Sequence, residues 1–62
     1  MTTTEAYELG KKARVEAERM DTRLASWETF KRSFGFFRFK RKHEFTQEHD
    51  DAFGRGFNGE NL

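Results

Sequence analysis

Apolar residues in the first half of the chain recur at the spacing of an α-helix. Seven of them follow one another at steps of three or four: Ala6, Leu9, Ala13, Ala17, Met20, Leu24 and Trp27. Such steps keep side chains on one side of a helix, because an α-helix has about 3.6 residues per turn. Thr2 and Glu5 have the spacing of a capping box. The pattern predicts a long helix over about 4–29 that packs against one partner element through this face.

A second helical pattern lies near the C-terminus. Thr46 is a candidate N-cap, and three acidic residues follow it where they favour the helix dipole. His49, Phe53 and Phe57 are spaced by four residues. We expect a short helix over about 46–57 that folds back and packs Phe53 and Phe57 against the first helix.

In residues 33–42, between the two helices, apolar and polar residues alternate only in part. An extended chain here places four residues on one face, Phe34, Phe36, Arg38 and Lys40, and four on the other, Gly35, Phe37, Phe39 and Arg41. The same stretch also suits a helix–helix connection with a buried Phe cluster, and Gly35 favours a break before it.

The predicted fold class is therefore mainly α. It is a small helical hairpin with a long first helix, a basic Phe-rich connection that can include a short strand, and a short second helix. Residues 1–62 form one domain in this interpretation, with frayed ends at 1–3 and 58–62.

Length and composition exclude several classes of function. A chain of 62 residues without Cys has no disulfide and no thiolate zinc site. It also lacks the walls of a ligand pocket of about 300 Å³, so we expect no enzyme, cofactor or small-molecule substrate. His43 and His49 are six residues apart, on opposite sides of a helix, and there is no third His. No metal site is expected.

The sequence also has no signal-peptide pattern and no membrane span. The first five residues carry neither a basic nor an apolar region, and Phe36-Phe37 is the longest apolar run of the Phe-rich segment. We expect a soluble, cytoplasmic protein.

Basic charge is concentrated beside the Phe residues. Residues 29–43 hold six Lys and Arg residues and no acid, although the net charge of the chain is only +1. Aromatic faces stack on nucleic-acid bases, and cations contact phosphates. The candidate binding residues are Lys31, Arg32, Phe34, Phe36, Arg38, Lys40, Arg41 and Lys42. In the extended alternative, Phe36 and Arg38 carry recognition while Phe37 and Phe39 face the long helix.

Two motifs resemble known families. The string Arg32-Ser33-Phe34-Gly35-Phe36-Phe37-Arg38-Phe39 resembles the ribonucleoprotein octamer of RNA-recognition-motif domains. That fold has four strands and two helices, for which this chain is too short, so the likeness concerns the composition of the segment.

The second resemblance covers the two ends. Tyr7-x-x-Gly10 and Phe53-x-x-Gly56-Phe57 resemble the motifs of the ribosome modulation factor family and its short mobile-element relatives. The resemblance implies that these five residues are packing positions between two helices and that the basic residues meet ribosomal RNA. The gap between the motifs is longer here, and a basic Phe-rich stretch replaces the family's short Pro-Tyr connection.

The sequence thus favours a small regulatory RNA-binding protein, associated with the ribosome by the resemblance. The alternative is an inhibitor or adaptor, of the kind that phages and mobile elements encode, which docks on a host protein complex. Exposed Phe residues would then contact protein, and the cations would meet acidic side chains.

Overall fold

The chain folds into four helices joined by short turns. This computed structural model describes the backbone of residues 1–62 and every side chain except that of Leu24. The helices are α1 (Thr3–Met20), α2 (Trp27–Phe30), α3 (Phe34–His43) and α4 (Gln47–Asn58), with a 3₁₀ turn, Thr22–Ala25, before α2. No strand occurs in these residues. The mainly α class is confirmed.

Helix α1 begins where the capping box predicts. The Glu5 backbone N–H donates to the Thr2 hydroxyl at 3.1 Å, and the Thr2 N–H donates to the Glu5 carboxylate at 3.4 Å. These two hydrogen bonds satisfy donors that the first helical turn leaves without intrahelical partners.

Helix α1 ends at Met20, so the prediction of one helix to about 29 is wrong. Asp21 is extended, and its carboxylate accepts the Arg23 backbone N–H at 3.0 Å, which caps the 3₁₀ turn. Asp favours such local capping over a helix interior. Hydrogen bonds from the Arg23 side chain and then its backbone hold the pKa of Asp21 below its ordinary value.

The break at Asp21 divides the predicted apolar face. Met20 no longer reaches the core, whereas Trp27 still does. Met20 is 80% exposed. Trp27 instead reaches the core from α2, and its ring lies so close to Gly54 of α4 that a Cβ there would meet it at 2.8 Å. The side chain of Leu24, which belongs to the same predicted face, lies outside the described residues.

The backbones of α1 and α4 touch at two glycines. A Cβ at Gly10 would overlap the carbonyl oxygen of Phe53, and one at Gly56 would overlap the carbonyl oxygen of Tyr7. The packing of the second helix on the first through Phe53 and Phe57 is confirmed, since both rings are buried. The prediction of a helix at 46–57 is confirmed within one residue.

An aromatic cluster forms the core. Phe36, Phe53 and Phe57 are buried with Ala17. Partly buried residues surround them: Leu9, Ala13, Trp27, Phe30, Phe39 and Phe45. Ring centroids lie 4.9 Å apart for Phe36 and Phe53. Phe side chains bury large apolar areas, which supplies a core where Ile is absent.

Helix α3 occupies the connection that the sequence left open. The Ser33 hydroxyl accepts the Phe36 N–H at 3.2 Å and caps the helix, and Gly35 lies in its first turn. Glu44 ends the helix in the left-handed region, with φ 52°. The short strand is therefore absent: the connection between the two predicted helices is itself a helix, and it buries Phe36 in the expected Phe cluster.

The helices differ from membrane-spanning ones. In the part of the chain that the structure describes, none is both long enough and apolar enough to cross a bilayer.

Candidate functional site

Helix α3 has two opposite faces of different character. Phe36, Phe39 and His43 are spaced by three and four residues and point inward, towards Phe53 and Phe45. The opposite side carries Phe34, Phe37, Arg38 and Arg41, which we call the outer face of α3; all four are exposed. Their spacing, i, i+3, i+4 and i+7, is that of one helix face.

This arrangement reverses the prediction for two Phe residues. Phe36 is 2% exposed and belongs to the core, whereas Phe37 is 51% exposed. The prediction assumed an extended chain, in which alternate residues share a face, but a helix brings residues three and four apart together. Phe39 faces inward, as predicted.

Each ring of the outer face lies within cation–π reach of an arginine one turn further on. The Arg38 guanidinium is 5.9 Å from the Phe34 ring centroid, and the Arg41 guanidinium is 5.9 Å from that of Phe37. The two rings lie 6.3 Å apart, with planes 32° apart. The result is two aromatic–cationic pairs side by side on one helix.

The outer face is positively charged and has no acid of its own. Helix α3 contains no Asp or Glu, and Lys42 lies exposed beside the face. Among the described side chains, Arg38, Arg41 and Lys42 form no ion pair. Cations in the last turn also complement the helix dipole. Because these three cations have no acidic partner among the described side chains, the outer face of α3 presents unpaired positive charge.

The remaining predicted binding residues lie elsewhere. Lys31, Arg32 and Lys40 line an open cleft of about 660 Å³ beside α4, together with Trp27 and Phe36. Lys31 pairs with Glu28 at 3.2 Å, and Lys40 pairs with Asp50 at 3.5 Å.

The cleft is a weaker candidate for an anionic ligand than the outer face. Asp50, Asp51 and Glu60 line it beside the cations. Like charges repel, so a polyanion entering the cleft would meet three carboxylates. The structure thus separates the predicted residues into an acid-free outer face and a cleft of mixed charge.

The two histidines have local structural contacts. His49 accepts the Thr46 backbone N–H through Nδ1 at 3.2 Å, within the cap of α4, and the His43 ring lies 4.4 Å from that of Phe39. Among the described side chains, no group of three or more His, Cys, Asp or Glu residues could hold a metal ion.

Sequence reasoning missed Phe37 as a surface residue. The signal was Ser33, a preferred N-cap residue directly before the Phe-rich run. With the helix begun there, the period of 3.6 places Phe37 beside Phe34, away from Phe36.

Comparison with models of protein families, with curated proteins and with solved structures found no match for the chain. The chemistry of the surface itself is therefore the basis for inferring its function.

Proposed function

We propose that this protein is a small regulatory RNA-binding protein and that the outer face of α3 is its RNA-binding surface. The observation that supports this most strongly is the pairing of two exposed Phe rings with two arginines on a helix without acids. Aromatic side chains stack on bases, and arginines contact phosphates.

The exposure of Phe34 needs an explanation beyond folding. Its side chain is 72% exposed although seven other aromatic rings pack in or around a common core. Removing such a ring from water on binding is favourable. Exposed aromatic residues beside arginine are typical of recognition surfaces.

Ribosomal RNA is the target to test first. The glycine contacts between α1 and α4 fit the packing that the resemblance of the end motifs to the ribosome modulation factor family implies. A small protein that binds RNA can act by occupying its target, which is a regulatory role.

The proposal predicts RNA binding that depends steeply on salt. We expect the affinity for a ribosomal RNA fragment, measured by fluorescence anisotropy, to fall about 7- to 40-fold between about 50 and about 200 mM salt, if two or three phosphates of single-stranded or duplex RNA are neutralised. The double variant Arg38→Ala/Arg41→Ala should lose most of the binding and most of the salt dependence.

A matched control carries the same charge change on α1. Lys11 and Arg19 are exposed there, and the Lys11 ammonium lies over the Tyr7 ring of the same helix, so Lys11→Ala/Arg19→Ala should bind nearly as the parent does. Equal losses in the two double variants would contradict a localised surface, and absence of binding at low salt would remove the RNA proposal.

A second candidate function is docking on a host protein complex through the same surface. The observation that favours it is the large exposure of Phe34 and Phe37, since exposed rings next to arginines also occur at protein interfaces. Co-purification from cells separates the two: ribosomal RNA supports the first proposal, and one stoichiometric protein without RNA supports the second.

A further inference from the structure

The two aromatic–cationic pairs of the outer face have similar geometry. Phe34 with Arg38 and Phe37 with Arg41 are each separated by four residues, and each guanidinium lies 5.9 Å from its ring centroid. The two rings are three residues apart on the helix. Their planes are tilted by 32° to each other, and their centroids are 6.3 Å apart. They therefore form two neighbouring platforms, each with its own cation.

We infer that the outer face of α3 binds unpaired nucleotides of a single RNA strand, one base on Phe34 and one on Phe37. This inference rests on the proposed function and specifies its ligand. Each arginine then lies where it can contact the phosphate that accompanies the stacked base, and Lys42 adds a further cation beside the pair. Stacking accepts any base, so recognition is tolerant of sequence.

Duplex RNA fits this surface less well. Within an A-form helix the base faces are covered by their neighbours, and the major groove is too deep and narrow for side chains to read. A Phe ring has no polar atom with which to contact a 2′-hydroxyl or a phosphate. Only the cations of the outer face could act on a duplex, so the two rings would add nothing to the affinity.

Charge also favours a nucleic acid strand over a protein segment as the occupant. Helix α3 holds four Lys and Arg residues and no acid, and its exposed cations lie beside both rings. A strand of RNA supplies a phosphate with every base, which matches two rings that each have an arginine one turn away. A protein segment would need an acidic side chain placed beside each of two apolar ones.

The experiment compares the affinity of the full chain for an unstructured oligouridine with its affinity for a blunt RNA duplex of the same length, both at low salt. We expect the single strand to bind at least about tenfold more tightly than the duplex, because stacking contributes only to the former. Affinity is measured by fluorescence anisotropy for the parent and for two double variants.

The variants separate aromatic stacking from apolar contact. Phe34→Leu/Phe37→Leu keeps both side chains apolar and suits a helix, yet it should weaken single-strand binding about tenfold or more and leave duplex binding within about twofold. Phe34→Tyr/Phe37→Tyr keeps the aromatic faces and should bind as the parent does. Because both rings are exposed, all three proteins should melt at similar temperatures.

The outcomes distinguish this inference from the proposed function. Equal, salt-dependent binding of strand and duplex would overturn the inference and leave RNA binding intact. An unchanged affinity of the Leu variant for the single strand would overturn it as well. Binding to neither RNA at low salt would overturn both proposals and favour a protein partner.

Discussion

At the scale of single residues, two glycines set the distance between α1 and α4. Gly10 faces the backbone of Phe53, and Gly56 faces the backbone of Tyr7, so each helix contributes one glycine to the contact. Backbone atoms cannot move aside as a flexible side chain can, and any Cβ at these positions forces the helices apart. The resemblance of the end motifs had implied packing at these positions.

Alanine at Gly10 should therefore destabilise the protein, although alanine is the better helix former. We expect Gly10→Ala to lower the free energy of unfolding by about 1–3 kcal/mol or more, measured by urea denaturation.

Gly35 provides the matched control. It lies exposed in the first turn of α3, and a Cβ there would meet only the Ser33 hydroxyl, at 4.0 Å. Gly35→Ala should raise stability by up to about 1 kcal/mol. An increase in stability in both variants would be inconsistent with backbone contact at Gly10.

At the scale of elements, α3 links the core to the proposed binding surface. Its inner face places Phe36 in the aromatic cluster, and its outer face carries the rings and arginines away from it. The sequence predicted α4 and the start of α1 because their caps and periodicity agree. It failed at the end of α1, where the apolar spacing continues through the break at Asp21, and it left 33–42 open, because alternation over a few Phe residues also fits a strand.

Two Phe substitutions on α3 should have opposite effects. Phe36→Ala leaves a cavity in the core and should cost about 3–5 kcal/mol, which is close to the total stability expected of so small a domain. Phe37→Ala should change stability by less than about 0.5 kcal/mol and weaken RNA binding.

Thermal unfolding followed by circular dichroism, together with RNA affinity, checks this pair. Loss of the fold in Phe37→Ala with a stable Phe36→Ala protein would mean that α3 is rotated about its axis relative to the core.

At the scale of the whole molecule, the protein is thin. Its extents are 28 × 24 × 15 Å, so each long helix keeps one side in contact with solvent. The exposed side of α1 mixes Lys and Arg with Glu, and the cleft beside α4 mixes both signs as well. The outer face of α3 differs because it combines exposed rings with unpaired cations. Composition predicted a basic aromatic surface, but only the packing of α3 decides which rings belong to it.

The most direct test of this account is to map the RNA-binding surface by NMR. Backbone amide shifts of the labelled full chain would be followed while an unstructured oligouridine is added at low salt. If the outer face of α3 binds RNA, the shift changes are largest along it, from Phe34 to Lys42, and small on the exposed side of α1. Changes centred on the cleft that contains Lys31, Lys40 and Arg55, or on α1, would contradict it.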